Sequence, residues 1–376
     1  MRRAYFDNGA TTALDPAVLE RMMPYLAAEY GNPGSMHYLG DAAAAGVRTA
    51  RKEVADTLGC LPSEIVFTSG GTESDNLAVI GAMVASGKRR AVTCAVEHSA
   101  VLESFAELRR RGFETTVLGV DGEGRVSAGD LEAAMGPDVG LVSIMTANNE
   151  IGTVMDIRGL AEVAHSHGAL FHTDAVQAYT KAALGKDDQG FDLLSLSAHK
   201  IHGPKGVGAL FVRSGTPMAP TMFGGGQENG LRSSTENVPG IVGLGAAAAT
   251  GHAAMGRVVP KIGKMRKRII EGIREIPGST MNGPADGICN IVNFSFEGVS
   301  GKDLVIALSN EGIAASAAAA CSAGSSDPSH VVMAISGDVR RAMGALRVSL
   351  SKFTTDADVD FLLETLPETV ARMRKR

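Results

Sequence analysis

Leu193-Leu194-Ser195-Leu196-Ser197-Ala198-His199-Lys200-Ile201-His202-Gly203-Pro204-Lys205-Gly206 is the stretch from which the fold of this chain is read. A leucine-rich run that stops at small polar residues has the composition of a buried strand, and the Gly/Pro punctuation behind it marks a turn. One lysine, Lys200, is thereby delivered to the end of a core strand. Partial burial there disfavours the ammonium form and exposes the amine as a nucleophile, which is what an imine-forming lysine needs. Taken alone, a lysine at a strand end is better explained as a surface residue. Its company decides.

Working upstream, the pattern alternates. Glu64–Thr68, Arg90–Ala95, Glu114–Leu118, Gly140–Met145 and Ala169–His172 read as short buried strands. Between them Leu77–Ala85, Val101–Arg110, Leu131–Met135 and Ile157–His167 carry helical spacing. Repeated strand–helix units imply an α/β fold with a mostly parallel sheet and helices on both faces, and ligands of such sheets sit beyond the carboxyl ends of the strands. His98, Asn149, Asp174, Gln177, Ser197, His199 and Lys200 all fall just past those ends. Solvation alone does not account for seven polar groups at one sheet edge.

The strand ending at Thr68 runs into Ser69-Gly70-Gly71-Thr72-Glu73-Ser74-Asp75-Asn76. A glycine turn between strand and helix aims backbone N–H groups at an anion such as phosphate. It has neither the GK[ST] ending of a Walker A loop nor the third glycine of GxGxxG, and a plain strand–helix turn fits it as well.

Downstream, Phe223–Asn237 is a polar glycine-rich loop too long for a simple turn. Ile241–Ala254 and Val258–Glu275 read as two successive helices, followed by a strand over Cys289–Phe296, a helix over Gly301–Asn310, a strand over Ala345–Leu350 and a closing helix over Phe361–Arg374. Near the N-terminus, Asp15–Tyr30 and Asp41–Leu58 read as helices.

With 376 residues, 44% of them hydrophobic and 20% charged, the chain has material for two or three compact units. A net charge of -5 and a pI near 6.0 give no reason to expect nucleic acid or an anionic membrane as partner. No long uninterrupted apolar run marks a membrane span. The start turns polar too early for a secretory signal, so a cytoplasmic location is expected. Cys60, Cys94, Cys289 and Cys321 are scattered without CxxC, which indicates neither a disulfide framework nor a zinc knuckle.

A strand-end lysine, an upstream strand-end aspartate, a phosphate loop and an imidazole together equip a site for pyridoxal 5′-phosphate (PLP). Lys200 would form the imine, and Asp174 would keep the pyridine nitrogen protonated so that the ring acts as an electron sink. The Thr72 loop, with Ser197 and His199, would take the phosphate. His98 would stack on the ring, and Asn149 and Gln177 would bond its phenolic oxygen. The competing reading is a metal on His199-Lys200-Ile201-His202. That spacing lacks the HExxH glutamate and lies in a Gly/Pro turn with no fixed helical face, so no metal is expected.

The joint order of seven motifs resembles the cysteine desulfurases (NifS/IscS-like) of the class V aminotransferase family, nearly end to end. They are Phe6–Thr12, Gly31–His37, Thr68–Ser74, Glu97-His98, Asn148–Gly152, His172–Gln177 and Ser197–Lys200. The resemblance implies a fold-type I PLP-dependent transferase, with a large domain over residues 13–255. Residues 1–12 and 256–376 would form a smaller α+β domain. It implies a homodimer acting on L-cysteine, with Lys200 and His98 catalytic and Gly71, Thr72, Asn149, Asp174, Gln177, Ser197 and His199 binding the cofactor. Thr235 would reach the neighbouring subunit's phosphate, and Arg347 would fork onto the substrate carboxylate, with Asn149 beside it. Cys321 would be the nucleophile that takes sulfur as a persulfide, leaving alanine. It would pass that sulfur to an acceptor such as an iron–sulfur scaffold, with a transient cluster contact at Cys321. A selenocysteine lyase or another class V PLP enzyme is the alternative.

The chain departs from the family pattern at Asn229, usually arginine, and at Ser234, usually glycine. Alanine also replaces most of the Ser/Gly pattern ahead of Cys321, over residues 317–320, for which a stiffer loop base is expected.

Overall fold

The computed structural model describes residues 2–317 and 327–375. Cys321 and the alanines at 318–320 lie outside them. In chain order the strands are β1 (Ala4–Tyr5), β2 (Ile65–Thr68), β3 (Arg90–Cys94), β4 (Glu114–Leu118), β5 (Val139–Ser143) and β6 (Leu170–Asp174). They continue as β7 (Leu193–Ser197), β8 (Gly208–Val212), β9 (Ser279–Met281), β10 (Ile291–Phe296), β11 (Ile313–Ala314) and β12 (Ala345–Ser349).

Seven of them form the main sheet, in the order β2-β8-β7-β6-β5-β3-β4. Neighbours from β7 to β4 pair parallel, and β8 alone runs against both β7 and β2. Every residue of β2, β5 and β7 is buried, because helices cover both faces of a sheet built by crossovers. The architecture is the α/β one that the strand–helix alternation implies, with the carboxyl ends of β2, β3, β5, β6 and β7 at one edge.

The apolar core beneath this sheet includes Phe171, Phe191, Leu194, Leu196 and Phe211. A separate core gathers Phe6, Ile269, Phe294, Phe296, Leu304, Leu346, Leu362 and Leu366 around the antiparallel sheet β12-β10-β9. The N-terminal residues join this second core because β1 pairs with β11.

The two helices expected over 241–275 are one, Val238–Arg274. Pro260 inside a helix costs about 3 kcal/mol. That cost is offset here because residues on both sides of Pro260 are buried: Leu244 and Ala248 in the first core, Ile262, Ile269 and Ile273 in the second. The expected boundary at 255/256 falls within this helix. Its apolar first part is long enough to cross a bilayer by composition, although it packs against Pro16–Ala27 and Tyr38–Leu58. The closing helix starts at Asp356 rather than Phe361, because Thr355 and Asp358 form a capping box.

Gly71–Asn76 is already helical and continues through a π-type turn, Leu77–Gly81, into Ala82–Ser86. The helix therefore begins six residues earlier than its apolar pattern announces, with Thr72 in its first turn.

Candidate active site

All seven strand-end residues named from the sequence line one cavity of about 140 Å³, together with Gly71, Thr72 and Arg347. Asp174 and Ser197 are the last residues of β6 and β7 rather than the first beyond them. Thr235 is exposed and does not line this cavity.

Lys200 ends a short helical turn, Ala198–Lys200, directly after β7. Its Nζ donates to the carbonyls of Gly9 (2.5 Å) and Ala10 (2.7 Å). Residues 11–13 clamp the same turn. Thr12 Oγ1 donates to the His199 carbonyl and accepts from the His202 amide, and Nδ1 of His202 lies 2.9 Å from the Ala13 carbonyl. His202 holds a φ of 67°, a conformation uncommon outside glycine, so the turn depends on that clamp. His199 and His202 each commit Nδ1 to this segment, at Thr11 and Ala13. Burial lowers both to about 4, so both are neutral at pH 7.

Asp174 accepts the Val176 amide at 2.9 Å. Burial pushes its carboxyl up, against the pull of His98 and Lys200. His98 caps the helix Ser99–Arg110 by accepting the Ala100 amide at Nδ1, which leaves the proton of the neutral ring on Nε2. Asn148 holds the turn after β5 by accepting the amides of Glu150 and Ile151, and so presents Asn149 to the cavity. Arg347, on β12, is 1% exposed and reaches across from the second core. It donates to the Asn149 carbonyl at 2.8 Å and pairs with Asp7 at 2.9 Å.

Among the described residues, four buried polar atoms of cavity residues have no hydrogen-bond partner: Asp75 Oδ1, Gln177 Oε1, Ser197 Oγ and Arg347 Nε. Buried polar groups are rarely left so. A Cβ on Gly71 would come within 2.8 Å of Val176 Cγ2, so the backbone at the glycine loop approaches the far wall closely. Unfilled polar valences, a buried aspartate wanting a cation and a lysine beside it fit PLP. Among the described residues, the trio with donor atoms close enough to share a metal is Asp75, His98 and Asp174. The Lys200 amine beside them disfavours a second cation.

Two residues escaped the sequence reading. Asp75 lines the cavity floor one helical turn after Gly71, and Lys181, half-buried, donates to the carbonyls of Gln177 (3.0 Å) and Lys200 (3.2 Å). Burial lowers the Lys181 amine to about 8. The signal available was helical i, i+4 spacing from Gly71 for Asp75, whereas Lys181 lies in a turn where that spacing has no fixed face.

The departures have local explanations. Asn229 sits at φ 58°, which asparagine tolerates better than most residues, beside Glu228, which pairs with Arg51 at 2.7 Å. Ser234 takes no left-handed conformation and needs no glycine freedom.

A lysine, an aspartate and an arginine converging on such a cavity define a PLP-type lysine site. The model of the family described as Aminotransferase class-V matches residues 4–362. A cysteine desulfurase of Cereibacter sphaeroides is 46% identical over 379 residues, covering 100% of this chain and 97% of that protein. A solved NifS-like protein superposes with a TM-score of 0.92 at 38% identity, covering 99% of this chain and 100% of that one. The structure of SspA in complex with cysteine gives 0.82 at 36% identity, covering 93% and 99%. The chain belongs to the class V aminotransferase family, and its fold is that of the fold-type I PLP enzymes.

Proposed function

We propose that this protein is a PLP-dependent cysteine desulfurase that converts L-cysteine to L-alanine, holds the sulfur as a persulfide on Cys321 and passes it to an acceptor protein such as an iron–sulfur scaffold. The observation that carries the reading is the convergence of Lys200, Asp174, His98 and Arg347 on one cavity, in a chain 46% identical to a cysteine desulfurase.

PLP, when bound, supplies the electron sink that weakens bonds at the substrate's α-carbon. Asp174 offers its charge to the ring nitrogen, and Gln177 and Asn149 offer amides to the ring's edge. Thr72, Ser197 and the neutral His199 donate to the phosphate. The guanidinium of Arg347 holds the substrate carboxylate, and His98 and Lys200 carry protons at the cavity floor. The Cys321 thiolate attacks the sulfur of the bound cysteine. The carbon–sulfur bond breaks with its electron pair on carbon, which then collects a proton. One sulfur atom moves and no external oxidant is needed.

The chain enters and leaves the Cys321 segment beside this cavity, which supports the assignment. Ser316 pairs through its backbone with Arg347, Ser329 donates to Glu150 at 2.6 Å, and His330 Nε2 lies 3.0 Å from the Glu97 carbonyl. The other thiols are poor candidates. Burial pushes Cys60 to about 12 and also raises Cys94 and Cys289.

The protein would work in the cytoplasm as a homodimer, with residues 13–255 as its large unit and residues 1–12 with 256–376 as its small one. Exposed Thr235, and Phe223 at 81% exposure on the same glycine-rich loop, support a second subunit seated there. The test is PLP uptake by wild type and Lys200→Ala. A visible absorption band that survives gel filtration in the first and not the second is expected, and a wild type that takes up no PLP contradicts the reading.

A further inference from the structure

Asp75 is 1% exposed and lines the cavity from the helix that begins at Gly71. One of its oxygens lies within 4.8 Å of side-chain donor atoms of both Asp174 and His98. Among the described residues its Oδ1 has no hydrogen-bond partner, and Nε2 of His172 stands 3.7 Å away. His172 supplies no charge. Its ring nitrogens lie 2.8 and 3.0 Å from the hydroxyls of Ser143 and Ser195, and burial lowers it to about 3.

Besides His98, the groups facing Asp75 are Asp174 and Glu97, both acidic, and the hydroxyl of Ser195. Asp174, by contrast, accepts a backbone N–H, and His98 and Lys200 pull its carboxyl down. Two carboxylates this close in a water-poor site do not both stay ionised. The surroundings leave the charge on Asp174.

We propose that Asp75 is held as a neutral carboxylic acid beneath the cavity floor and is the positioning residue for Asp174, leaving Asp174 as the single charged carboxylate that meets the PLP ring nitrogen. The proposal rests on the reading of this cavity as a PLP site. Burial, reinforced by repulsion from Asp174, raises the Asp75 carboxyl well above the usual carboxylate range. Asparagine reproduces the size and polarity of that neutral acid, and alanine does not.

The first test uses the apoprotein. The folded state keeps a proton on Asp75 that the unfolded chain releases above about pH 4, so this group lowers stability as pH rises. Asp75→Asn removes the effect. Its thermal midpoint should equal or exceed that of wild type at about pH 8, with a flatter decline from about pH 5. A midpoint several degrees below wild type would show that the ionised form is required and overturn the proposal.

The second test uses the holoenzyme. Asp75→Ala should weaken PLP binding by about tenfold or more and move the pH midpoint of the visible band, and Asp75→Asn should restore both to within about twofold and about 0.3 pH unit. An alanine variant that binds and titrates as wild type overturns the positioning role. An asparagine variant as impaired as alanine overturns the neutral-acid assignment. Failure of wild type to bind PLP would contradict the cofactor reading instead, while the apoprotein comparison still judges the protonation of Asp75.

Discussion

Nη2 of Arg347 lies 2.9 Å from Oδ1 of Asp7, so residues 340 positions apart meet at the wall of the cavity that holds Lys200. The pair brings the N-terminal segment and β12 to the carboxyl edge of the main sheet. Asp7 and the Asn149 carbonyl fix the guanidinium plane, and its unpartnered Nε remains. A single ammonium cannot reproduce that fork. Arg347→Lys should therefore raise KM for L-cysteine by about 10- to 100-fold, with PLP affinity nearly unchanged. Steady-state alanine production measures it, and an unchanged KM would remove Arg347 from substrate binding.

Gly71 offers a steric test of the phosphate loop. An added methyl would stand 2.8 Å from Val176 Cγ2, so Gly71→Ala forces the loop away from the wall. PLP affinity should fall by about tenfold, and Val176→Ala in the same chain should recover most of it, because the two sites share one contact. Fluorescence titration of the apoprotein reads both. Loss that persists in the double variant would mean that the loop, not the wall, is at fault.

Lys181 holds the carbonyl of the residue that carries the chemistry. Replacing it with methionine fills the space but removes the donors to Gln177 and Lys200. Lys181→Met should fold, since its amine is a buried charge that burial itself disfavours, and should release PLP on dilution about tenfold faster. Unchanged release would make the lysine a packing residue only.

Much of this site was legible because strand ends have a residue-type signature. Leu193–Ser197 and Leu170–Asp174 pass from apolar to small polar residues where the buried sheet stops, and the groups beyond converge. Asp75 and Lys181 carried no such mark. Each stands four residues after one already singled out, and a charged side chain on a helix, as for Asp75, or in a turn, as for Lys181, is ordinarily solvated. The contacts of Lys200 with Gly9 and Ala10 were invisible for another reason, since a backbone carbonyl has no residue identity. The long helix Val238–Arg274 reads as two in the sequence because its composition passes from small apolar residues to basic ones near residues 255–257, whereas the burial that joins the two parts in separate cores is tertiary. The glycine turn hid the start of Gly71–Asn76 in the same way, because Thr72–Asn76 is polar.

His172 sets a pH dependence with a definite sign. Burial lowers it to about 3, while the unfolded chain protonates it below about 6.5. The unfolded state then binds the extra proton, so the stability this group contributes is complete above about pH 6.5 and is lost as pH falls toward 3. Asp75 and Glu97, whose carboxyls burial raises, act oppositely in the same window, so variants must be compared. His172→Gln should flatten the acid limb of apoprotein unfolding by up to about 1.4 kcal/mol per pH unit. Urea melts at several pH values measure it, and an identical slope would mean that His172 is protonated in the folded state.

The central claim is that sulfur leaves L-cysteine for one thiol. The measurement is a single turnover of the PLP-loaded protein with L-cysteine, quantifying alanine and mapping the added sulfur by peptide mass in wild type, Cys321→Ala and the triple variant Cys60→Ala, Cys94→Ala, Cys289→Ala. Wild type and the triple variant should form one alanine per active site with one extra sulfur atom on Cys321, and Cys321→Ala should form neither. Alanine from Cys321→Ala at the wild-type rate, or added sulfur on any other cysteine, would contradict it.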